Sequence, residues 1–550
     1  MAKKVFYDDD ARRRVLAGAR ILYEAVSTTM GPKGRNVVLS KSYGSPTVTH
    51  DGVTVAKGVE LGDVDDETLG YKVGAELIKQ AASKMNDVAG DGTTTVTVLT
   101  YNILYEANKL IAAGHNPMLL RRGLEAAAQE VLAKLDGLRE DIQGQKSRIA
   151  EVATISAGDA EIGALIADVM ERIGRDGIVT VEEGQSLKLE SEVVEGFTFD
   201  KGFVSALMVT DTARMEAVYD KPAVLVTDRK VSSIQEFLPV LEKLAQSGKK
   251  DLVIIAEDVE GEALGTLVLN RLKGVFNTVA VKAPAFGDRR KEILDDIAIL
   301  TGATVISEDR GITFDNAELS MIGSARKVIV GKDETTIIEG SGASADVQAR
   351  IKQINAQISQ AKSEYDREQL EKRRAALSGK VAVIKVGGAT ETEIEEKKFR
   401  VDDAVAAVKA ALSEGVVAGG GVTFVNLSAT ITTTKGNDDD DAVAAGRVLL
   451  KKALEQPFRI LLTNAGLNAD EWLPQVKKSK PGMGIDVTAP KAIVDLKAAG
   501  IIDPARVTKE ALLNAVSVAG TSMTMGALVV EVPEKKDAVP TPDMGGMGMM

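Results

Sequence analysis

Apolar positions in the first part of the chain recur at helical spacing, and glycine turns separate the segments that carry them. This spacing predicts helices over residues 11–29, 69–86, 94–113 and 117–135. Between the first two, short apolar runs at residues 36–40 and 46–49 predict a β-hairpin that ends at the Asp51-Gly52 turn. We therefore expect the beginning of the chain to be mostly helical.

Short runs rich in valine and isoleucine mark the middle of the chain and predict strands at residues 223–227, 252–256 and 279–281. Helical patterns over residues 232–246 and 261–273 alternate with them, which predicts a parallel sheet in an α/β domain. The charged pattern of residues 346–377 is typical of a solvated helical hairpin. The last third returns to helices and glycine turns, so we expect both ends to build one domain into which the middle is inserted.

Composition narrows the classes of function. The 550 residues predict about three or four domains. A net charge of −12 argues against a nucleic-acid partner, and the lack of an 18-residue uncharged apolar run argues against a membrane span. The absence of cysteine excludes disulfides and thiol chemistry, and the presence of two histidines alone argues against a histidine zinc site. The first residues lack a leader pattern, so we expect a cytoplasmic protein of the bacterial cytosol.

The segment with the most specific chemistry is residues 90–95, which read Gly-Asp-Gly-Thr-Thr-Thr. Glycine lets a backbone approach an anion closely, amides at a helix start point at it, and hydroxyls donate to phosphate oxygens. Asp91 offers a hard oxygen ligand to the Mg²⁺ that accompanies a nucleotide. The alternative is a glycine turn followed by a threonine-capped helix, and this segment alone favours neither interpretation.

Six motifs, taken together and in order, resemble the GroEL-type group I chaperonins over essentially the whole chain. They lie at residues 28–39, 90–95, 256–264, 282–290, 414–421 and in the glycine- and methionine-rich tail at 540–550. The resemblance implies a multidomain subunit. It has a mostly α equatorial domain made from both chain ends, a small α/β intermediate domain and an inserted α/β apical domain.

Family boundaries carried onto this sequence give the equatorial domain as 1–137 and 414–550, the intermediate domain as 138–194 and 382–413, and the apical domain as 195–381. Gly196, Gly379 and Gly415 lie at the junctions, where hinges must absorb large changes in backbone angles. The tail cannot form a core, so we expect it to be disordered.

The resemblance implies that the subunit binds ATP with Mg²⁺, and K⁺ is a further candidate ion. The expected ATP-binding residues are Thr29, Met30, Gly31, Pro32, His50, Asp91, Gly92, Thr93, Thr94, Thr95, Gly420, Asp486 and Asp503. Asp91 is the expected Mg²⁺ ligand, and Asp503 is expected to accept hydrogen bonds from ribose hydroxyls. Asp486 is placed near the base by a looser alignment.

Hydrolysis of ATP needs a carboxylate that orients or deprotonates the attacking water. By resemblance Asp403 takes this catalytic role, and Asp51 is a second catalytic carboxylate near the γ-phosphate. His50 departs from the family, whose members carry lysine before the Asp-Gly pair. It acts as a pH-sensitive substitute, works through water or is inert, and the sequence leaves these three alternatives open.

The resemblance also places a surface that binds clients and the lid on the apical domain, at Phe203, Leu207, Met208, Leu238, Leu241, Leu264, Val268 and Leu269. By helical periodicity alone, the leucines and valine would be core positions. The resemblance instead makes them exposed, which suits the capture of unfolded proteins.

The implied function is an ATP-driven folding chamber that captures a client protein, encloses it under a small co-chaperonin lid and releases it on an ATP hydrolysis timer. The expected assembly is a homo-oligomeric, seven-membered ring, usually two of them stacked. Leu467 and Asn468 replace an acidic pair that meets Arg459 across the ring contact in the family, which favours a single ring here. Two alternatives stay open: a Mg-ATP-dependent enzyme for a small molecule, and a scaffold relative with impaired hydrolysis.

Overall fold

The computed structural model describes residues 3–40, 46–63, 65–174, 177–184, 186–212, 214–361, 363–432 and 438–532. The tail at 540–550, predicted to be disordered, lies outside these residues. The described residues divide into two compact units. Unit 1 comprises those within Met1–Asp168, Gln185–Lys188 and Val386–Met550, and unit 2 comprises those within Val169–Gly184 and Leu189–Lys385.

The described helices are α1 Asp8–Ser27, α2 Gly52–Gly58, α3 Tyr71–Ala89, α4 Thr93–Ala112, α5 Pro117–Asp136, α6 Lys146–Ala157, α7 Ala160–Ile173, α8 Ile234–Gln246, α9 Gly261–Leu272, α10 Gly287–Thr301, α11 Ser344–Gln360, α12 Glu364–Leu377, α13 Glu391–Glu414, α14 Val422–Thr430, α15 Asp438–Ala453, α16 Gln456–Asn464, α17 Ala469–Lys478 and α18 Ala505–Ser522. They include every helix predicted from periodicity, with ends shifted by a few residues. None of these described helices is both long and apolar enough to cross a bilayer.

The described strands are β1 Lys3–Tyr7, β2 Val37–Leu39, β3 Thr47–Thr49, β4 Ile178–Glu183, β5 Glu190–Phe199, β6 Ala217–Asp220, β7 Ala223–Val226, β8 Lys230–Val231, β9 Asp251–Ala256, β10 Asp258–Val259, β11 Asn277–Lys282, β12 Gly323–Val330, β13 Thr335–Gly340, β14 Lys380–Val386, β15 Val416–Ala418, β16 Met483–Ile485, β17 Ile493–Asp495, β18 Ile502–Pro504 and β19 Ala527–Glu531. The predicted hairpin is confirmed, since β2 and β3 pair antiparallel.

Unit 1 contains a helical core that both ends of the chain build. β1 and β19 pair antiparallel with Val5 opposite Val529, so the first and last described strands lie side by side. α1, α3, α4 and α18 pack together around fully buried side chains that include Leu22, Ile78 and Leu99. The predicted discontinuous layout, in which both ends share one unit, is confirmed.

A second apolar cluster in unit 1 joins the helices of the last third. Val422 of α14, Phe458 and Leu462 of α16 and Leu473 of α17 are buried together. Trp472, the single tryptophan of the chain, packs against this cluster. The cluster therefore fixes α14 and α16, and both helices border the candidate site.

Unit 2 is built on a mixed sheet. Its described residues form nine strands in the order β11-β9-β7-β12-β13-β5-β14-β4, with β6 paired to β12. β11, β9 and β7 are parallel as predicted, whereas β12 runs antiparallel to β7, β13 and β6. The prediction of a parallel sheet is therefore wrong beyond β7, where directly connected strands such as β12 and β13 extend the sheet in the antiparallel sense.

The α11–α12 hairpin, predicted from its charges, is attached to α10 by a buried carboxylate. Asp296 is fully buried and accepts hydrogen bonds from Arg350 at 2.6 Å and from Arg373 at 2.8 Å. Because a buried charge is tolerated only when it is paired, these two arginines hold the hairpin against α10.

Two of the predicted domain boundaries, at 194/195 and 381/382, fall inside β5 and β14, which pair in one sheet. The predicted hinges Gly196 and Gly379 meet there, and the Gly196 amide donates to the Gly379 carbonyl at 3.2 Å. Gly415 ends α13 with φ +80° and ψ −170°, a backbone conformation that only glycine adopts readily. The three-domain division and the hinge roles stay predictions.

Candidate functional site

The turn that follows α1, at residues 28–35, forms one side of the candidate site in unit 1. It is closed by backbone hydrogen bonds from Met30 to Ser27 at 3.2 Å and from Arg35 to Thr28 at 2.8 Å. Gly31 has φ +85°, and a Cβ there would lie 3.1 Å from the Leu461 side chain. The turn therefore requires glycine for both its conformation and its close packing.

The start of α4 lies against this turn. Gly92 is the N-cap with φ +80° and supplies no side-chain acceptor to the first amides of the helix. The Thr94 hydroxyl lies 3.3 Å from the Thr29 hydroxyl, and a Cβ on Gly52 would come within 2.7 Å of the Thr93 and Thr94 hydroxyls. The structure thereby brings together three glycine-containing segments around an uncapped helix N-terminus, which is the arrangement that binds phosphate.

Asp51 has a structural task that the sequence did not suggest. Its carboxylate caps α2 by accepting from the amides of Val53 at 3.1 Å and Thr54 at 2.8 Å and from the Thr54 hydroxyl at 2.6 Å. A carboxylate has about four acceptor positions, so capping leaves capacity for a further donor. The cap also holds Asp51 at the edge of the site, and its catalytic role stays a prediction.

Three carboxylates of the site influence one another. Burial raises the pKa of Asp91, and the nearby charge of Asp51 raises it further. Burial and the charge of Asp91 raise the pKa of Asp503 to about 7. Like charges that converge in a half-buried site favour a bound cation, which would offset their repulsion.

The donor set fits Mg²⁺ that arrives with a nucleotide. Within the described part of the chain, no group of three or more His, Cys, Asp or Glu side chains could hold a metal ion. Mg²⁺ at nucleotide sites usually takes one or two carboxylates, several waters and phosphate oxygens. Asp91 therefore fits as the protein ligand, provided that the phosphates and waters complete the coordination.

Asp503 and the glycine turn that contains Gly420 come together in the last third of the chain. β15 pairs with β18, so that Val417 lies opposite Asp503. A Cβ on Gly419 would lie 2.9 Å from the Asp503 carboxylate, and Gly420 and Gly421 have φ +64° and +73°. The glycines therefore let this carboxylate lie close to the backbone turn before α14.

Asp403 lies on a face of α13 that turns toward the Asp91 loop. Three residues before it, Arg400 donates to the Ala157 carbonyl at 3.2 Å. Three residues after it, Ala406 lies close to Gly90. A Cβ added to Gly90 would be only 2.3 Å from the Ala406 Cβ. Residues three apart on a helix share a face, so the structure brings Asp403 to the side of the site.

The imidazole of His50 is half-buried beside Gly34, where an added Cβ would lie 2.9 Å from the ring. Burial lowers the pKa of His50, and Arg400 lowers it further against the opposing charges of Glu396 and Asp51. A neutral ring is therefore favoured near pH 7 in the protein without nucleotide. The three alternatives for His50, a pH-sensitive substitute, action through water and an inert role, stay predictions.

Asp486 accepts hydrogen bonds from the Thr488 amide at 2.8 Å and hydroxyl at 2.6 Å. The Thr488 hydrogen bonds and the charge of Lys33 keep the pKa of Asp486 low despite partial burial. The carboxylate thus closes its own turn, and its position near a base stays a prediction.

Sequence reasoning missed two polar side chains that support the site. The Ser156 hydroxyl of α6 donates to the Asp91 carboxylate at 3.1 Å. The Asn464 amide of α16 donates to the carbonyls of Ser27 at 2.9 Å and Met30 at 3.0 Å. Neither residue lies in one of the six motifs, and their partners are distant in sequence, although residues 458–466 around Asn464 do resemble the family.

Comparison with known proteins shows which family the chain belongs to. The TCP-1/cpn60 chaperonin family matches residues 22–533. The chain belongs to this chaperonin family. The predicted resemblance is thus confirmed at the level of the family, and the multidomain fold class with it.

The chaperonin fold also occurs in a solved relative, the chaperonin gp146 from the bacteriophage EL 2 (Pseudomonas aeruginosa), crystallised in the presence of ATP-BeFx. The two chains are 22% identical and superpose with a TM-score of 0.65 over 96% of this chain and 99% of that one. At this identity the match shows the shared fold.

The chaperonin exposes only part of its predicted client surface, which lies in unit 2. Leu207, Leu238 and Leu269 are 59%, 45% and 50% exposed. The half-buried residues of the set pack against the sheet core, namely Phe203, Leu241 and Leu264.

The expectation of exposure is wrong for Met208 and Val268, which are 0% and 9% exposed. The Met208 sulfur accepts a hydrogen bond from the Ala280 amide of the sheet at 3.3 Å, and Val268 lies on the core side of α9. Both side chains therefore belong to the core of unit 2 in this conformation.

The arginine expected at the ring contact has a partner within its own chain. Arg459 of α16 donates to the Asp470 carboxylate at 2.6 Å, and this aspartate is largely exposed. The pair lies on the surface of unit 1, where a single ion pair contributes about 0–1 kcal/mol.

Proposed function

We propose that this chaperonin binds Mg-ATP, hydrolyses it and uses the cycle to capture and release non-native proteins. One observation carries the proposal: the uncapped N-terminus of α4, the glycine turns and the carboxylates of Asp91 and Asp503 converge in unit 1. Membership of the chaperonin family supports the protein-folding role.

In this proposal the phosphates bind to the backbone amides at the start of α4 and to the turn that contains Thr29, Met30, Gly31 and Pro32. The hydroxyls of the threonines at 93–95 donate to phosphate oxygens, and Asp503 accepts from the ribose hydroxyls. Asp91 holds Mg²⁺, which when bound neutralises negative charge on the phosphates. K⁺ is a second candidate ion for the same site.

Asp403 is proposed to orient and deprotonate the attacking water, with Asp51 as a second carboxylate near the γ-phosphate. The support for Asp403 is its position on α13 between Arg400 and Ala406, whose contacts reach Ala157 and Gly90. Two carboxylates on different elements can act together only when the elements approach correctly. Hydrolysis would then depend on the position of α13.

Client capture is proposed for the exposed leucines Leu207, Leu238 and Leu269, since exposed apolar side chains bind apolar segments of unfolded chains without a strict sequence preference. The half-buried Phe203, Leu241 and Leu264 would join them if α8 and α9 rearrange. The same surface would bind a small lid co-chaperonin, which displaces the client into a closed chamber until hydrolysis times its release.

The proposed assembly is a seven-membered homo-oligomeric ring, alone or in a stacked pair. The Arg459–Asp470 pair supports a single ring, because the arginine is already neutralised within its own chain. Gly196, Gly379 and Gly415 are the proposed hinges, and the bacterial cytosol is the proposed location.

Electron microscopy with and without ATP, combined with an ATPase assay and refolding of a denatured enzyme, tests this function. We expect rings whose unit 2 density moves with ATP, Mg²⁺-dependent turnover and a higher yield of active enzyme. Turnover that depends on a small metabolite would instead support the small-molecule enzyme. Rings that neither hydrolyse ATP nor raise the refolding yield would indicate the scaffold relative and contradict the proposal.

A further inference from the structure

The side chain of Asn464 joins two distant parts of unit 1. It is the last residue of α16, and its amide nitrogen donates to the carbonyls of Ser27 at 2.9 Å and Met30 at 3.0 Å. These two carbonyls lie on either side of Thr29. One amide group therefore closes the turn from the outside.

α1 ends at Ser27, and the carbonyls of its last turn take partners outside the helix, such as the Thr29 hydroxyl, which donates to the Val26 carbonyl at 2.8 Å. The Met30 amide donates to the Ser27 carbonyl, so the Asn464 amide adds a second donor there and supplies one to the Met30 carbonyl. A terminal amide carries two hydrogens on one nitrogen and can serve both carbonyls at once. A carboxylate of the same size has no donor and would repel them.

α16 presents a second side chain to the same turn. Leu461 packs against Gly31, with its Cγ 3.1 Å from the position of an added Cβ. Phe458 and Leu462 anchor α16 in a buried apolar cluster that Leu461 also contacts. The helix is therefore a fixed support, and the turn rests on it through one apolar and one polar contact.

We propose that Asn464 is a positioning residue for the nucleotide, acting through the turn at Met30 and Gly31. This inference rests on the proposed ATP-binding function and assigns it a residue outside the expected site. The amide holds the turn in the conformation in which the Thr29 hydroxyl lies 3.3 Å from the Thr94 hydroxyl at the start of α4. Asn464 itself does not touch the phosphates, so it supports nucleotide binding more than the chemical step.

The test compares Asn464→Asp with Gln475→Glu in the assembled protein. Gln475 is exposed on α17, and its side-chain amide donates to the Glu471 carbonyl of its own helix at 3.1 Å. Both variants replace an amide by a carboxylate, but only the first removes a donor from the turn. We expect Asn464→Asp to raise the Kd for Mg-ADP and the KM for Mg-ATP about tenfold while kcat changes less than about twofold. Gln475→Glu should match wild type.

Asn464→Ala removes the donor without adding charge, and it should raise the same Kd about fivefold while the unfolding midpoint without nucleotide falls by less than about 3 °C. Unchanged Kd in both Asn464 variants of an active protein would overturn this inference and leave the proposed function intact. A loss of kcat at constant KM would also overturn it. A wild-type protein that binds no nucleotide would overturn the proposed function first, and this inference with it.

Discussion

The hydroxyl of Ser156 donates a hydrogen bond to the carboxylate of Asp91 at 3.1 Å across 65 residues of sequence. This bond lowers the pKa of Asp91, as does the bond from the Gly92 amide, whereas burial and Asp51 raise it. Burial outweighs both bonds, so the carboxylate holds its proton more tightly than usual. Because a metal ligand must be deprotonated, we expect Ser156 to adjust the pH at which Asp91 could take its proposed role as Mg²⁺ ligand.

Replacement of Ser156 by alanine should shift the acid limb of the ATPase pH profile to higher pH. The change removes a bond that favours the charged form, so the pKa of Asp91 rises and a larger fraction is protonated at a given pH. We expect the Mg²⁺ concentration for half-maximal activity to increase about three- to tenfold at pH 7 and to recover toward wild type at higher pH. Exposed Ser147 lies on the same helix, and Ser147→Ala is the control. An equal increase at all pH values would contradict this account.

Asp503→Asn should stabilise the nucleotide-free protein at alkaline pH. A carboxyl whose folded pKa is raised to about 7 binds its proton more tightly when folded, so the wild type loses stability as pH rises from about 4 to 7. Asparagine resembles the protonated acid and avoids this loss. Denaturant unfolding should show the variant more stable by about 3–4 kcal/mol at pH 8 and nearly equal near pH 4. A difference independent of pH, or the same effect in exposed Glu471→Gln, would refute the assignment.

His50→Gln should leave the shape of the ATPase pH profile unchanged between about pH 6.5 and 8.5, because a histidine with a lowered pKa is already neutral there. The comparison is made against wild type and His115→Gln, which replaces the other histidine of the chain. If the wild type shows an acid limb near its usual histidine pKa that only His50→Gln removes, the ring is a pH-sensitive cation after all.

Asp403→Ala should retain nucleotide binding and slow turnover. Loss of a general base usually costs about 10²–10⁴-fold in rate, whereas the residues proposed to bind the phosphates lie on other elements. Titration of the nucleotide and single-turnover hydrolysis measure the two effects separately. Glu395→Gln, at an exposed carboxylate of the same helix, controls for a general charge effect. Turnover equal to wild type would remove Asp403 from the catalytic role.

Two neighbouring residues of α9 should separate client binding from stability. Leu269→Ser at a half-exposed position should change the free energy of unfolding by less than about 0.5 kcal/mol and weaken capture of an unfolded model protein. Val268→Ser at a buried position should lower the free energy of unfolding by about 2–3 kcal/mol. Equal client affinity for Leu269→Ser and wild type would count against the exposed leucines as the client surface.

Features formed by residues close together in the sequence were predicted, whereas contacts between residues far apart in the sequence were not. The turn at Gly90 and Gly92 and the helix that follows were predictable, because both glycines and the start of the helix lie within one short segment, whereas phosphate binding there stays a prediction. Ser156 and Asn464 reach the site only after α6 and α16 have packed, and their own neighbours in sequence carry no sign of this. Side-chain contacts between residues so far apart in the sequence can be identified only once the three-dimensional structure is known.

Exposure on the apical helices was equally hard to predict. Val268 and Leu269 are adjacent and both apolar, yet one faces the sheet and the other faces solvent, because successive helical positions differ by about 100°. The resemblance assigned both to one surface. The direction in which each side chain points depends on how α9 lies on the sheet, which hydrophobicity alone does not determine.

Trp472 can serve as an intrinsic fluorescence probe of the region beside the candidate site. Its indole packs against the apolar cluster that holds α14 and α16 in place. α14 follows the Gly420-Gly421 turn, and α16 carries Asn464. Since the chain has no other tryptophan, excitation near 295 nm would give emission that reports on this one place in each subunit. A spectral shift on adding nucleotide would then mark movement of the support beneath the turn, without any label.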